Sequence, residues 1–350
     1  LYRDITLPDL FTSQKKEANT LIDVRSPKEF KEATIPGSIN IPVFNNEERA
    51  EIGTIYKQVG TEEAKERGLA IFSQKLPAFI AAFKQIETPI TVFCWRGGMR
   101  SKTAATVLDL MGINAKRLTG GVRTYRQWVV NELEKQEFMP KLFVLNGYTG
   151  SGKTAILKLL SQKGYPIIDL EGMAGHRGSI FGQIGLEPSN QKKFDSLLLH
   201  EIVRYQDRPY VVIEGESKRI GKVCLPDFLN EKKEKGQQLF INLPIEVRVQ
   251  NILEEYQPWE FPQLFKESFQ LIKKHIHTPI AKQIEADLES SDFASATKLL
   301  LEYYYDPKYE HSSNQYLEHQ KIIIKAMDVE DAFQKVQEEI SLNHSEINYN

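Results

Sequence analysis

Short apolar runs recur along this 350-residue chain and alternate with longer stretches of helical period. Residues 20–24, 90–93 and 115–118 read as strands of one sheet, and 141–146, 165–169, 210–213 and 238–243 as strands of a second. Most of these runs lack the polar–apolar alternation of a half-exposed sheet, the mark of strands covered on both faces. Between them, Ser26-Pro27 suits a helix N-terminus, 45–85 is charged and periodic in places, and 102–108 and 155–160 read as helices. A turn at Ile35-Pro36-Gly37 leads into one more short strand. The alternation predicts an α/β fold with parallel sheets.

The pattern changes twice. Near Gln136 the composition turns charged and Pro140 ends a helix, which predicts a domain boundary there. Beyond residue 245 the periods are helical, over 246–256, 263–275, 280–290, 294–302 and 328–341. The expected organisation is an α/β domain over 1–136 with a helical insertion, a second α/β domain over 137–245, a helical region over 246–342 and a disordered polar tail over 343–350. Tyr303-Tyr304-Tyr305-Asp306-Pro307-Lys308-Tyr309 reads as a loop between two of those helices, its rings free to anchor on a core or to stack on bases.

Chemistry is concentrated where strands hand over to loops. Cys94-Trp95-Arg96-Gly97-Gly98-Met99-Arg100-Ser101 follows the strand at 90–93 and opens a helix. Loop N–H groups, a helix dipole and two arginines then surround one sulfur and favour a thiolate. An inert cysteine beside a tight turn is the competing reading, but it has no need of the flanking glycines and arginines. Cys94 to Arg100 also has the Cys-x5-Arg spacing of phosphatases that hold a phosphate dianion at a thiolate. Phe93, where tyrosine phosphatases usually carry histidine, leans against that class, and spacing alone leaves it open.

Gly147-Tyr148-Thr149-Gly150-Ser151-Gly152-Lys153-Thr154 is a Walker A pattern set between a strand and a helix, the context such a loop requires. Its glycines let the backbone close around a phosphate, Lys153 adds a point charge, and the Thr154 hydroxyl suits a metal ion such as Mg²⁺. His176, Arg177 and Ser179 follow the strand at 165–169, and Glu214, Glu216, Ser217, Lys218 and Arg219 end or follow the one at 210–213. Those are the strand ends where α/β sheets bind ligands. Glu214 or Glu216 could hold a metal-bound water, while Lys218 and Arg219 suit either phosphates or a solvated face. Cys224 has no glycine-rich or cationic loop of its own and reads as structural filler.

Composition narrows the setting more than the chemistry. Lys and Arg total 45 against 47 Asp and Glu, a net charge of −2, so contact with nucleic acid has to come from local basic clusters. Such clusters occur at Arg117, Arg123 and Arg126, at Lys192-Lys193, and at Lys266 and Lys273-Lys274-His275. Two cysteines cannot build a disulfide framework, no apolar run approaches a membrane span, and no signal-peptide pattern opens the chain. The expectation is a cytoplasmic protein with no membrane partner.

Four stretches stand in the order seen in rhodanese domains: Asp23-Val24-Arg25-Ser26-Pro27-Lys28-Glu29-Phe30, Ile35-Pro36-Gly37-Ser38-Ile39-Asn40-Ile41-Pro42, the Cys94 loop, and Gly120-Gly121 with Tyr125-Arg126. Together with the P-loop, residues 47–58, Leu170-Glu171-Gly172, Glu216-Ser217-Lys218-Arg219-Ile220-Gly221 and Tyr304-Tyr305-Asp306-Pro307, the chain resembles the bacterial tRNA 2-selenouridine synthase family. The resemblance implies that selenium from selenophosphate replaces the sulfur of 2-thiouridine at the tRNA wobble position. It implies passage through S-geranyl-2-thiouridine, made with geranyl diphosphate. Cys94 would then hold or deliver the chalcogen, the loop from Trp95 to Arg100 would bind its anion, and the P-loop would bind the diphosphate. A separate enzyme would supply selenophosphate. Two alternatives fit the motifs singly: a Cys-x5-Arg phosphatase fused to a P-loop kinase, and a persulfide-relay adaptor with a nucleotide switch.

Overall fold

The computed structural model describes residues 2–14, 17–135, 137–313 and 316–345. The chain divides into two compact units, Leu1–Lys135 with Asp195–Leu199 and Gln136–Phe194 with His200–Asn350. Each is built on a five-stranded parallel sheet.

The first unit has strands β1 (Arg3–Ile5), β2 (Thr20–Asp23), β3 (Ile39–Asn40), β4 (Ile90–Phe93) and β5 (Ala115–Leu118), in the order β1-β5-β4-β2-β3. Its helices are α1 (Leu7–Gln14), α2 (Pro27–Glu32), α3 (Asn46–Gln58), α4 (Thr61–Lys84), α5 (Met99–Leu110) and α6 (Gly121–Glu134). β4 is central and buried throughout, and with Ile22, Phe83 and Leu108 it forms the core of this unit. Local chemistry sets the helix starts. Ser26 accepts from the Glu29 N–H while the Glu29 carboxylate accepts from Ser26, with Pro27 at the first helical position. Asn45 and Glu48 cap α3 in the same reciprocal way. The sequence reading passed over β1, because only Ile5 of its three side chains is buried and no period is visible in so short a run.

In the second unit β6 (Lys141–Gly147), β7 (Ile167–Ile168), β8 (Tyr210–Glu214), β11 (Gln237–Asn242) and β12 (Lys321–Lys325) lie in the order β12-β11-β6-β8-β7. β9 (Arg219–Ile220) and β10 (Val223–Cys224) form a separate antiparallel ribbon. Helices α7 (Lys153–Gln162), α8 (Leu170–Ala174), α9 (Gln191–Tyr205) and α10 (Asp227–Glu234) connect the strands. α11 (Ile245–Tyr256), α12 (Pro262–Ile272), α13 (Thr278–Glu289) and α14 (Phe293–Leu300) follow, around a core of their own that includes Phe265, Phe269 and Ile284.

Four sequence expectations change. The stretch 303–309 is helical: Leu301–Tyr305 is a wide π-type turn that carries α14 into α15 (Asp306–Ser313). Pro307 does not end the run: it has no N–H to donate into the preceding turn, and the π-type turn just before it is the local widening found where a helix gives up such a bond. The helical region also contains a strand, β12, whose Lys-Ile-Ile-Ile-Lys run pairs in parallel with β11. α16 (Val329–Ser345) continues past residue 343, so the described part of the expected tail is helical; residues 346–350 lie outside the described residues. Cys224 is exposed on the ribbon and fills no core.

Gly121 at the head of α6 has φ +57, and a Cβ there would lie 2.0 Å from the Cys94 carbonyl oxygen. Gly121→Ala is therefore expected to lose about 2 kcal/mol or more of stability in a denaturant melt. The same change at Gly112, also left-handed (φ +73) but facing open space, is expected to cost less.

Candidate functional site

Each sheet ends its central strand in a loop that feeds a helix. In the first unit Cys94 directly follows β4, and its side chain is buried with 3% exposure. The thiol sulfur lies 3.2 Å from the Ser101 hydroxyl and 3.9 Å from the Gly98 carbonyl, to which Ser101 also donates. The loop's carbonyls are held from behind. Val122 N–H donates to Cys94 O, Arg123 N–H to Trp95 O, and the Arg117 guanidinium to Gly97 O at 2.9 Å. Carbonyls tied in this way leave the loop N–H groups, with the N-terminus of α5, as the donors available above the sulfur.

Around that cradle Trp95, Arg96 and Met99 are exposed. Arg100 is committed elsewhere: its two terminal nitrogens grip the Glu29 carboxylate at 2.6 and 3.1 Å. Burial acts to raise the Glu29 carboxyl, but the Arg100 hydrogen bonds and charge, the Ser26 N–H and the Arg49 charge outweigh it and hold the group below the usual carboxylate range. The sequence paired Arg96 and Arg100 as equivalent donors to a bound anion. In the structure only Arg96 is without an ion pair among the described residues.

In the second unit β6 ends at Gly147 and the loop turns into α7 at Lys153. Gly150 has φ +80, and a Cβ there would meet the Arg248 carbonyl at 2.6 Å, so this loop position requires glycine. The Lys153 ammonium lies across the loop, 3.3 Å from Gly147 O. The Thr154 hydroxyl donates to Glu171 at 2.8 Å and lies 3.4 Å from Glu214, whose other oxygen accepts from the Glu171 N–H. Glu216 lies close by, its carboxylate beside Gly178 with that of Glu171.

The electrostatics of this cluster follow from crowding. Burial first, then the Glu216 charge, pushes the Glu171 carboxyl up to about 8, against the opposing pull of Lys153 and Thr154. Glu214 is raised well above the usual carboxylate range by burial and by the charges of Glu171 and Asp169. Glu171 escaped the sequence reading as an acid although it follows β7 closely, because it lies inside the short helix α8 with no acidic pattern around it to mark it. No three His, Cys, Asp or Glu side chains among the described residues form a metal cage. Mg²⁺ needs only one or two carboxylates beside its substrate phosphates, and Thr154 with Glu171 or Glu214 matches that donor set.

The remaining predicted residues are divided. His176 accepts from the Gly178 N–H, and burial lowers its pKa despite the opposing Glu216 charge. Arg177 pairs with Glu255 and lies over the Tyr256 ring, and Ser179 meets the Tyr256 hydroxyl at 3.0 Å. Lys218 is paired with Asp227, and Ser217 and Arg219 bond within their own turn, so none of these three bonds to the phosphate loop among the described residues.

Beside the loop opens a small, partly open cleft. Thr149 of the P-loop forms part of its wall, with Ser179, Tyr256, Tyr305, Phe293 and Ala296 among the rest, and no charged side chain lines it. Burial raises the hydroxyls of Tyr256 and Tyr305, which therefore stay neutral. Nothing in the sequence announced this cleft, because its wall is assembled from helix faces that read individually as core.

A buried cysteine in an N–H cradle and a P-loop in a second parallel sheet define a rhodanese-like domain joined to a P-loop domain. Residues 7–127 match the rhodanese-like domain, and residues 140–267 match the tRNA 2-selenouridine synthase AAA domain. The tRNA 2-selenouridine synthase of Bdellovibrio bacteriovorus is 30% identical over 86% of this chain and 91% of its own length. That of Nitrosomonas europaea is 30% identical over 87% and 92%. The chain belongs to the tRNA 2-selenouridine synthase family. No described helix is long and apolar enough to cross a membrane.

The raised Glu171 pKa has a consequence for stability. The folded protein keeps this proton up to about pH 8, whereas the unfolded chain releases it near 4.5. The native state thus binds more protons in that window, and stability falls as pH rises through it. Each retained proton contributes about 1.4 kcal/mol per pH unit to the slope. Glu171→Gln is expected to remove much of that slope in melting temperatures measured from pH 5 to 9; an unchanged slope would assign the proton elsewhere.

Proposed function

We propose that this protein converts 2-thiouridine at the wobble position of tRNA to 2-selenouridine through S-geranyl-2-thiouridine, using geranyl diphosphate and selenophosphate. The observation that carries the reading is the sharing of Thr149 between a phosphate loop and an uncharged apolar cleft. A ligand with a diphosphate head and a hydrocarbon tail satisfies both halves at once.

In the first step the thiocarbonyl sulfur attacks C1 of the geranyl group. The C–O bond to diphosphate breaks, and the uridine gives up its N3 proton. Lys153 and the N–H groups of the loop from Gly147 to Thr154 neutralise the departing diphosphate. Mg²⁺ on Thr154 with Glu171 or Glu214 would add positive charge there. S-alkylation makes the sulfur a leaving group. In the second step the selenium of selenophosphate, delivered through the Cys94 loop, attacks C2. The C2–S bond breaks and geranylthiol departs with a proton, and water then cleaves the Se–P bond to release phosphate and leave 2-selenouridine. The loop amides from Trp95 to Arg100 and the Arg96 guanidinium stabilise the chalcogen anion.

The phosphatase alternative is less well supported, because the Arg100 guanidinium that it needs for a phosphate is already gripped by Glu29. In the reading proposed here the protein works in the cytoplasm, on tRNA, beside a separate enzyme that makes selenophosphate.

Two substitutions separate the steps. Cys94→Ser is expected to abolish selenouridine formation while S-geranyl-2-thiouridine still accumulates, measured by mass spectrometry of nucleosides from thiolated tRNA. Normal selenation by that variant would refute the role of the cysteine. Lys153→Ala is expected to slow geranylation by about 10²-fold, the scale of losing one oxyanion-stabilising group, with selenation of pre-geranylated tRNA retained.

A further inference from the structure

In one stretch that marked the family resemblance, Tyr304-Tyr305-Asp306-Pro307, the steps above use only the Tyr305 wall of the cleft and leave Asp306 unexplained. The structure gives it a place. Asp306 meets the Arg248 guanidinium through both carboxylate oxygens, at 3.0 and 2.6 Å, and Arg248 is buried with 4% of its side chain exposed. The third guanidinium position, Nε, donates to the Thr149 carbonyl at 3.0 Å. Arg248 also lies 4.8 Å from the centre of the Tyr148 ring, and Asn251 on the same helix donates to Gly150 O at 2.8 Å. α11 therefore pulls two carbonyls of the phosphate loop toward itself. Backbone held that way keeps the loop's N–H groups free for an anion.

Asp306 comes directly after the π-type turn Leu301–Tyr305, and Leu301 and Tyr305 both line the apolar cleft. A π-type turn carries one more residue per hydrogen-bonded ring than an α-turn, and such turns cluster at functional sites. That turn places Asp306 beside Arg248, and two of its residues face the cleft. Cleft and loop are thus joined by one chain of contacts, from Tyr305 to Asp306, Arg248 and Thr149.

We propose that the Arg248–Asp306 pair is a positioning device that couples the apolar cleft to the phosphate loop, so that a hydrocarbon tail in the cleft tightens the loop's hold on the diphosphate. The proposal rests on the prenyl diphosphate reading above, and it deepens that reading by naming the residues that link tail to head. Neither residue touches the reacting atoms. A buried arginine suits the task, because its planar fork holds a carboxylate and a carbonyl in fixed directions, which the point charge of a lysine does not.

The test is calorimetric titration of the full chain with inorganic pyrophosphate, the head alone, and with geranyl diphosphate, head and tail. Wild type is expected to bind geranyl diphosphate the more tightly. Ala296→Leu, which narrows the cleft from α14 without altering a P-loop residue, is expected to weaken geranyl diphosphate about tenfold or more and to leave pyrophosphate nearly unchanged. Asp306→Asn and Arg248→Lys are expected to weaken geranyl diphosphate by a factor at least about fivefold larger than their effect on pyrophosphate, the scale of a modest coupling free energy. Equal losses for the two ligands in both variants would overturn the coupling and leave the pair a purely structural brace. Equal affinity of wild type for the two ligands, or an Ala296→Leu variant that binds geranyl diphosphate normally, would instead overturn the prenyl diphosphate reading. Because each variant is compared with itself across two ligands, a partial loss of folded protein cannot imitate the expected result.

Discussion

A parallel strand that stops in the middle of a sheet must dispose of the backbone polar groups in the loop after it. Both units of this protein meet that constraint in the same way. Other elements take up the loop's carbonyls, α6 and Arg117 behind Cys94, Arg248 and Asn251 behind Gly150. Donors that have lost their internal acceptors are left facing outward, and a helix N-terminus reinforces them. The same construction surrounds a sulfur in one unit and forms the P-loop of the other. What differs is the side chain placed at its floor, a thiol in one case and an ammonium and a hydroxyl in the other.

The two arginines of the cysteine loop illustrate how far a motif can be taken. Arg96 and Arg100 are four residues apart and chemically identical, yet α2 presents Glu29 to only one of them. That carboxylate also caps its own helix through Ser26, so it is fixed before it meets Arg100. A Cys-x5-Arg phosphatase depends on the equivalent guanidinium being free for its substrate. A helix-capping residue seventy-one positions away in sequence therefore bears on the choice between two chemistries.

Most of the sheet strands were legible in the sequence, because strands such as 90–93 and 141–147 are buried on both faces and their apolar runs have no other use. Cys94 and the P-loop were legible for a related reason, since a strand, a glycine turn and a helix in succession leave few alternatives. Glu171 was not, because its importance lies in a meeting with Thr154 and Glu214 that no local spacing encodes. The cleft and the Arg248–Asp306 pair share that character: each joins segments separated by dozens of residues, and each looks locally like an ordinary helix face. β12 was missed because its isoleucines, read among helices, had no visible partner until β11 supplied one.

That last strand has a consequence for the order in which the protein is made. β12 completes the edge of the P-loop sheet, and α16 after it buries Phe333, Val336 and Ile340 in the core shared with Ile156 and Leu160 of α7. Val329, at the head of α16, stands against Gly152 in the phosphate loop itself. The first unit's sheet, by contrast, is complete once residue 118 has been made. During synthesis the cysteine cradle can thus close early, while β11 waits with an unpaired edge through some eighty residues of helix. An unpaired edge invites pairing with another chain. The P-loop half becomes whole only when its distant C-terminal segment arrives.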